Sequence, residues 1–160
     1  MNVYKSIIKG LNEAIEYETN KPKKVIVLNW KQALDLAKED FSLNRVIISI
    51  RSIGDDYLQF NPDNHSIKEV LTVEFNDVEE GKYAISQFTA ELIADFTKKY
   101  WDNIDQIVVH CDGGVSRSAG CAAAILKYFT GDDSEIFDDK NFYPNMLVYR
   151  RVFNALMESE

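Results

Sequence analysis

The segment Val108-Val109-His110-Cys111-Asp112-Gly113-Gly114-Val115-Ser116-Arg117-Ser118-Ala119-Gly120 decides how this chain is read. It continues the apolar, β-branched run begun at Ile107, passes through a cysteine and two adjacent glycines, and leaves through Ser-Arg-Ser into the alanine-rich stretch 118–129. β-Branched residues suit a buried strand, paired glycines a turn and alanines a helix, so the order is strand, tight turn, helix. Core packing alone gives no reason for a cysteine, an arginine and two serines at that turn.

Working outward, the same alternation recurs. Val25-Ile26-Val27-Leu28 reads as a buried strand, 32–37 as a helix, and Arg45-Val46-Ile47-Ile48-Ser49-Ile50 as the next strand. A polar connection over 51–66 carries Gly54, Pro62 and two aromatics, Tyr57 and Phe60, which are candidate loop anchors, although the length of the connection also suggests substrate contact. Val70 to Phe75 alternates as a strand that stops at Asn76-Asp77. Ile85, Phe88, Leu92, Ile93 and Phe96 mark a long helix, and a last helix is expected over 144–157. Tyr4, Ile7, Ile8, Leu11, Ala14 and Ile15 recur at helical spacing, which predicts an amphipathic N-terminal helix ending near Asn20-Lys21-Pro22 and covering some surface. Strands alternating with helices predict one α/β domain, with a largely parallel central sheet flanked by helices. The expected division is an N-terminal helical extension, 1–22, and a catalytic core, 25–160.

The quoted segment then lies at the carboxyl end of a central strand, the edge where open α/β sheets bind ligands. A glycine turn entering a helix directs backbone N–H groups and the positive end of the helix dipole toward one point, which forms an anion cradle. Gly113 and Gly114 are expected to take positive φ and admit the anion closely. Arg117 supplies a planar fork for two phosphate oxygens. Asp112, Gly113, Gly114, Val115, Ser116 and Arg117 thus form a phosphate-binding loop around Cys111. Thiols in such sites ionise well below their usual pKa of about 8.5, which makes Cys111 a candidate nucleophile. Ser118 is placed to hydrogen-bond the sulfur, and His110 to shape the loop. Both Ser116 and Ser118 are also candidate helix caps.

The pattern His110-Cys111, five residues, Arg117-Ser118 resembles the signature of the cysteine-dependent protein tyrosine phosphatase superfamily, and the chain's small size is similar to its dual-specificity-like branch. The resemblance implies a phosphomonoesterase that works through a phosphocysteine intermediate, with no metal and no cofactor. It also implies an aspartate general acid on a loop some thirty-odd residues before the cysteine, after a strand; Asp77 stands there. Glu74, Glu79 and Glu80 are the alternative acids, Glu79 foremost, and Gly81 is a candidate hinge for their loop. The order of parts departs from the low-molecular-weight class, which carries its cysteine loop on the first strand. Asp112 is acidic where many relatives are neutral or basic, and its side chain is expected to point outward. The implied substrate is phosphotyrosine in protein, with dual specificity as an extension, or a small phosphomonoester.

Two other classes use the same thiolate loop: a rhodanese-like sulfur transferase or arsenate reductase, and an inactive phosphate-binding module. An arsenate reductase needs a resolving thiol, for which Cys121 is available, although its alanine-rich helix suggests a packing residue. His65 lies in a polar connection and reads as surface. With 18 basic and 26 acidic residues the net charge is −8, and no Lys or Arg block offers the footprint that nucleic acid or an anionic membrane needs. Two cysteines make neither a disulfide framework nor a metal cluster. Together with an N-terminus lacking a signal-peptide core, this leads to an expectation of a cytoplasmic protein.

Overall fold

A computed structural model of the chain describes residues 5–9, 11–12 and 21–158. Four strands, β1 (Val25–Asn29), β2 (Arg45–Arg51), β3 (Ile67–Glu74) and β4 (Gln106–Cys111), alternate with α1 (Trp30–Glu39), α2 (Gln87–Tyr100), α3 (Arg117–Thr130), α4 (Ser134–Phe137) and α5 (Met146–Glu158). The strands form one sheet in the order β1-β4-β2-β3, and every pairing is parallel. β2 and β4 are central, and their Val/Ile runs are buried on both faces, which is why they read as nearly continuous apolar sequence.

The pleat divides those runs between two layers. Val46, Ile48 and Ile50 of β2, with Ile107, Val109 and Cys111 of β4, join the main core under α2, α3 and α5. Alternate residues, Ile47 and Ser49 with Val108 and His110, are also fully buried, on the opposite face. That face is closed by α1 and by the connection 52–66. Asn64 ties the two together, donating from Nδ2 to the carbonyls of Ala37 (2.8 Å) and Asp40 (2.9 Å). α1 begins on a capping box, with Gln32 N–H donating to Asn29 Oδ1 and Asn29 N–H to Gln32 Oε1.

α3 is buried from Arg117 to Leu126, so it must pack closely on all sides, and its alanines allow this. Gly120 marks the closest approach: a Cβ there would lie 2.4 Å from the carbonyl oxygen of Asn145 at the entrance to α5. Only a hydrogen fits.

Two expectations need revision. β3 starts at Ile67, three residues before the alternating segment, because it is an edge strand whose Lys68 and Glu69 face solvent. Of the N-terminal helix, residues 5–9 and 11–12 are helical, and the apolar side chains of Ile7 and Leu11 are each 58% exposed rather than buried. Tyr4, Ala14, Ile15 and the stop near Asn20 lie outside the described residues. Among the described residues, no helix is long and apolar enough to cross a membrane.

Candidate active site

Because all four strands run the same way, their carboxyl ends share one edge. Asn29, Arg51, the residues after Glu74, and Cys111 converge there from distant parts of the chain. The turn after Cys111 lies against the end of β1. Gly114 has φ +65°, and a Cβ on it would be 2.7 Å from the backbone nitrogen of Asn29 and from the carbonyl carbon of Leu28. Both features demand glycine. Gly113 differs from expectation: it does not have positive φ, and a Cβ there would meet nothing closer than Val115 Cγ2 at 4.0 Å. It faces open space.

The loop carbonyls are turned outward. Asp112 O accepts from Trp30 N–H (3.5 Å), Val115 O from Tyr143 N–H (3.0 Å), and Ser116 O from Asn145 N–H (3.0 Å) and Gly120 N–H (2.9 Å). In a planar trans peptide the N–H of the next residue points opposite to the carbonyl. The N–H groups of Gly113, Ser116 and Arg117 are therefore directed away from those partners, into the concavity of the loop.

Cys111 is 3% exposed, and its Sγ is 3.1 Å from Ser118 Oγ. Beneath it His110 is fully buried. Its Nδ1 is 3.3 Å from the Cys111 carbonyl, which can only accept, and its Nε2 is 2.6 Å from Ser49 Oγ. A neutral ring has one N–H, so Nδ1 donates to the carbonyl and the Ser49 hydroxyl donates to Nε2. Burial pushes the His110 pKa down to about 4, and the nearby Arg51 and Arg117 charges act in the same direction. The imidazole is thus neutral at physiological pH and orients the backbone at the sulfur. Phe60 stacks edge-on against it, with ring centroids 5.8 Å apart. Phe60 thus packs on the sheet face that carries His110 and anchors its connection there.

Arg117 is 5% exposed and firmly held: Nη1 donates to Phe75 O (2.8 Å) and Ser52 Oγ (3.0 Å). Asp112 does not simply point outward. One carboxylate oxygen accepts from Arg51 Nη1 at 2.6 Å and the other lies 3.6 Å from Arg117 Nη2, with the side chain 42% exposed. Arg51 is fixed in turn by donation from Nε to Asp56 O (3.0 Å). The acidic residue on the loop is therefore matched by an arginine from β2.

Asp77 reaches the same loop from the end of β3. Its Oδ1 accepts from Ser116 Oγ (2.8 Å) and from Asn145 Nδ2 (2.9 Å). Ser116 occupies the cap position of α3 without a side-chain cap bond, because its hydroxyl serves Asp77 instead. Glu79, the alternative acid, accepts from Met146 N–H at the start of α5 (2.9 Å). An open cleft beside the loop is bounded by Asp77, Glu79, Glu80, Ser116, Tyr143 and Asn145. Tyr143 is 77% exposed there, whereas Tyr57 lies beside Glu74 at the end of β3, whose carboxylate pushes the phenol pKa up. Cys121 is wholly buried in the main core, and burial pushes its thiol pKa up.

Sequence reading alone passes over Arg51, Ser49, Ser52 and Asn145. An arginine at the carboxyl end of an otherwise apolar strand was a visible signal for the first. An asparagine after Pro144, just before a helical run, marks a cap but not its reach to Asp77.

No protein-family model matches this sequence, and no curated protein matches it. Solved structures do match. DUSP15 superposes with a TM-score of 0.61 at 19% identity, covering 88% of this chain and 87% of its own. The human tyrosine phosphatase-like serine/threonine/tyrosine-interacting protein gives 0.60 at 16% identity, covering 84% and 92%. PTPMT1 in complex with PI(5)P gives 0.57 at 18%, covering 84% and 91%.

Proposed function

We propose, from a fold shared with protein tyrosine and dual-specificity phosphatases, that this chain is a metal-independent phosphomonoesterase acting through a phosphocysteine at Cys111. The observation that carries the reading is the bond between Asp77 and Ser116, at 2.8 Å, which brings a carboxyl group from another strand to the rim of the Cys111–Arg117 loop. A loop that merely held phosphate would gain nothing from an acid at that position.

In this reading the inward N–H groups and Arg117 hold the phosphoryl oxygens. Anchoring of Nη1 leaves Nε and Nη2 for two of them, where the Asp112 carboxylate now approaches Nη2. The Cys111 thiolate attacks phosphorus; the S–P bond forms as the P–O bond to the leaving group breaks, and Asp77 gives its proton to the departing oxygen. Water then attacks phosphorus, Asp77 takes a proton from it, and the S–P bond breaks to release inorganic phosphate and the thiolate. Ser118 donates to the sulfur in both its nucleophilic and leaving roles. His110 stays neutral and holds the loop.

The sulfur-transfer and arsenate-reductase alternatives lose ground on two points. A persulfide carrier has no use for Asp77, and the only second thiol, Cys121, is buried with a raised pKa. For substrate we favour phosphotyrosine in protein over phosphoserine. Tyr143 offers an exposed ring beside the cleft, and the cleft carboxylates oppose a polyanion. PTPMT1 holds PI(5)P in its structure, so a soluble phosphoinositide is the informative competitor. The test is hydrolysis of an aryl phosphate and of these competitors, with and without chelator, by the wild type and Cys111→Ser. The expected result is chelator-insensitive turnover, lost in the serine variant while vanadate still binds. Turnover by the serine variant overturns the mechanism; faster cleavage of the phosphoinositide overturns the substrate assignment.

A further inference from the structure

We infer that Asn145 is the positioning residue for the general acid, fixing which oxygen of Asp77 carries the transferable proton. This rests on the reading of Asp77 given above. Asn145 is 4% exposed and joins three parts of the site. Its Nδ2 donates to Asp77 Oδ1 (2.9 Å) and to Val78 O (3.2 Å), its backbone N–H donates to Ser116 O (3.0 Å), and its Oδ1 accepts from the N–H groups of Leu147 and Val148 (both 3.1 Å).

The two halves of its amide thus do different work. The oxygen caps α5, a helix whose Val148, Val152, Ala155 and Leu156 are buried, so the residue's place is set by the core. The amino group reaches outward from that fixed point to a loop whose Asp77, Val78, Glu79 and Glu80 are all exposed. The packing of Gly120 against the Asn145 carbonyl locks the same residue to α3, which carries the phosphate loop.

At Asp77 both donors, Asn145 and Ser116, bind Oδ1. An oxygen that accepts two hydrogen bonds from N–H and O–H groups has no room for a proton of its own, so the proton resides on Oδ2. Asn145 therefore does not touch the substrate. It holds the carboxyl plane and the register of the acid loop against the phosphate loop, so that Oδ2 meets the leaving oxygen.

The substitution Asn145→Ser keeps a capping oxygen and removes the amino group. The comparison is with Asp77→Asn and the double variant, using phenyl phosphate, whose leaving group needs protonation, and p-nitrophenyl phosphate, whose leaving group does not. For Asn145→Ser we expect a kcat loss of roughly 10- to 100-fold on phenyl phosphate. KM should stay unchanged on both esters, p-nitrophenyl phosphate should be nearly unaffected, and the double variant should lose no more than Asp77→Asn alone. Equal loss on both esters, or additive loss in the double variant, would show general loosening and overturn the inference. If Asn145→Ser does not fold, Asn145→Asp carries the same test, since it keeps size and cap but replaces the donor with an acceptor. A leaving-group effect in Asp77→Asn but in neither Asn145 variant overturns this inference alone. Its absence in Asp77→Asn overturns the acid assignment, and Asn145 with it.

Discussion

Lowering the pH from 6.5 toward 4 should destabilise this protein through His110. The ring is fully buried between Ser49 and the Cys111 carbonyl, and burial moves its pKa from the ordinary 6.5 to about 4. Between those values the unfolded chain binds a proton that the native state refuses, so stability is complete above about pH 6.5 and declines as pH falls toward 4. At about 1.4 kcal/mol per pKa unit, the loss across that window amounts to about 3 kcal/mol, a substantial part of a typical domain's stability. Asp40 acts elsewhere: hydrogen bonds from Ser42 and Arg45 hold its pKa at about 2, so its contribution disappears only as pH falls from 3.8 through 2. Urea unfolding of the wild type and His110→Gln, run from pH 4 to 8, separates the two. The wild type should lose stability between 6.5 and 4 with a slope the variant lacks, whatever the variant's stability at pH 8. Parallel curves would refute the assignment of a buried neutral imidazole.

Two further outcomes follow from the loop. Gly114→Ala should cost at least about 2 kcal/mol in thermal or urea unfolding, from positive φ and from contact with β1. Gly113→Ala should remain within about 0.5 kcal/mol of wild type. Equal effects would show that the loop does not rest on the end of β1. Arg51→Met removes the shorter of the two arginine contacts of Asp112, leaving only Arg117 Nη2 at 3.6 Å, and should raise KM for a phosphate dianion roughly 5- to 10-fold. Addition of Asp112→Asn should restore it, and steady-state kinetics of the double variant that show no recovery would sink the pairing argument.

What could be read from the sequence was whatever depends on local order. The run from Val108 to Gly120 placed a strand, turn and helix correctly because β-branched residues, glycines and alanines each act on their own backbone. Gly114 illustrates the limit. Its neighbour Gly113 looks identical in sequence, yet only one has positive φ, and the difference lies in Leu28 and Asn29, whose approach belongs to the β1–β4 pairing. Asp112 shows the same limit: its side chain is 42% exposed, but its partner Arg51 comes from β2 and nothing in the local sequence announces it. Phe60 packs against His110 as a loop anchor would, while nothing local says which side of a sheet a connection crosses. The fold was thus legible from periodicity, whereas the partners of each side chain at the sheet edge depend on which strands are neighbours.

The strand order has a consequence for how the chain is made. β2 and β3 can pair as soon as both have left the ribosome, but among the described residues β1 pairs only with β4, and β4 also fills the place between β1 and β2. Until Gln106–Cys111 emerges, the growing polypeptide holds β1 without a partner and β2 with one open edge, both rich in valine and isoleucine. Such unpaired edges invite association between nascent chains. The last strand to be synthesised is the keystone of the sheet, and it delivers the cysteine in the same step.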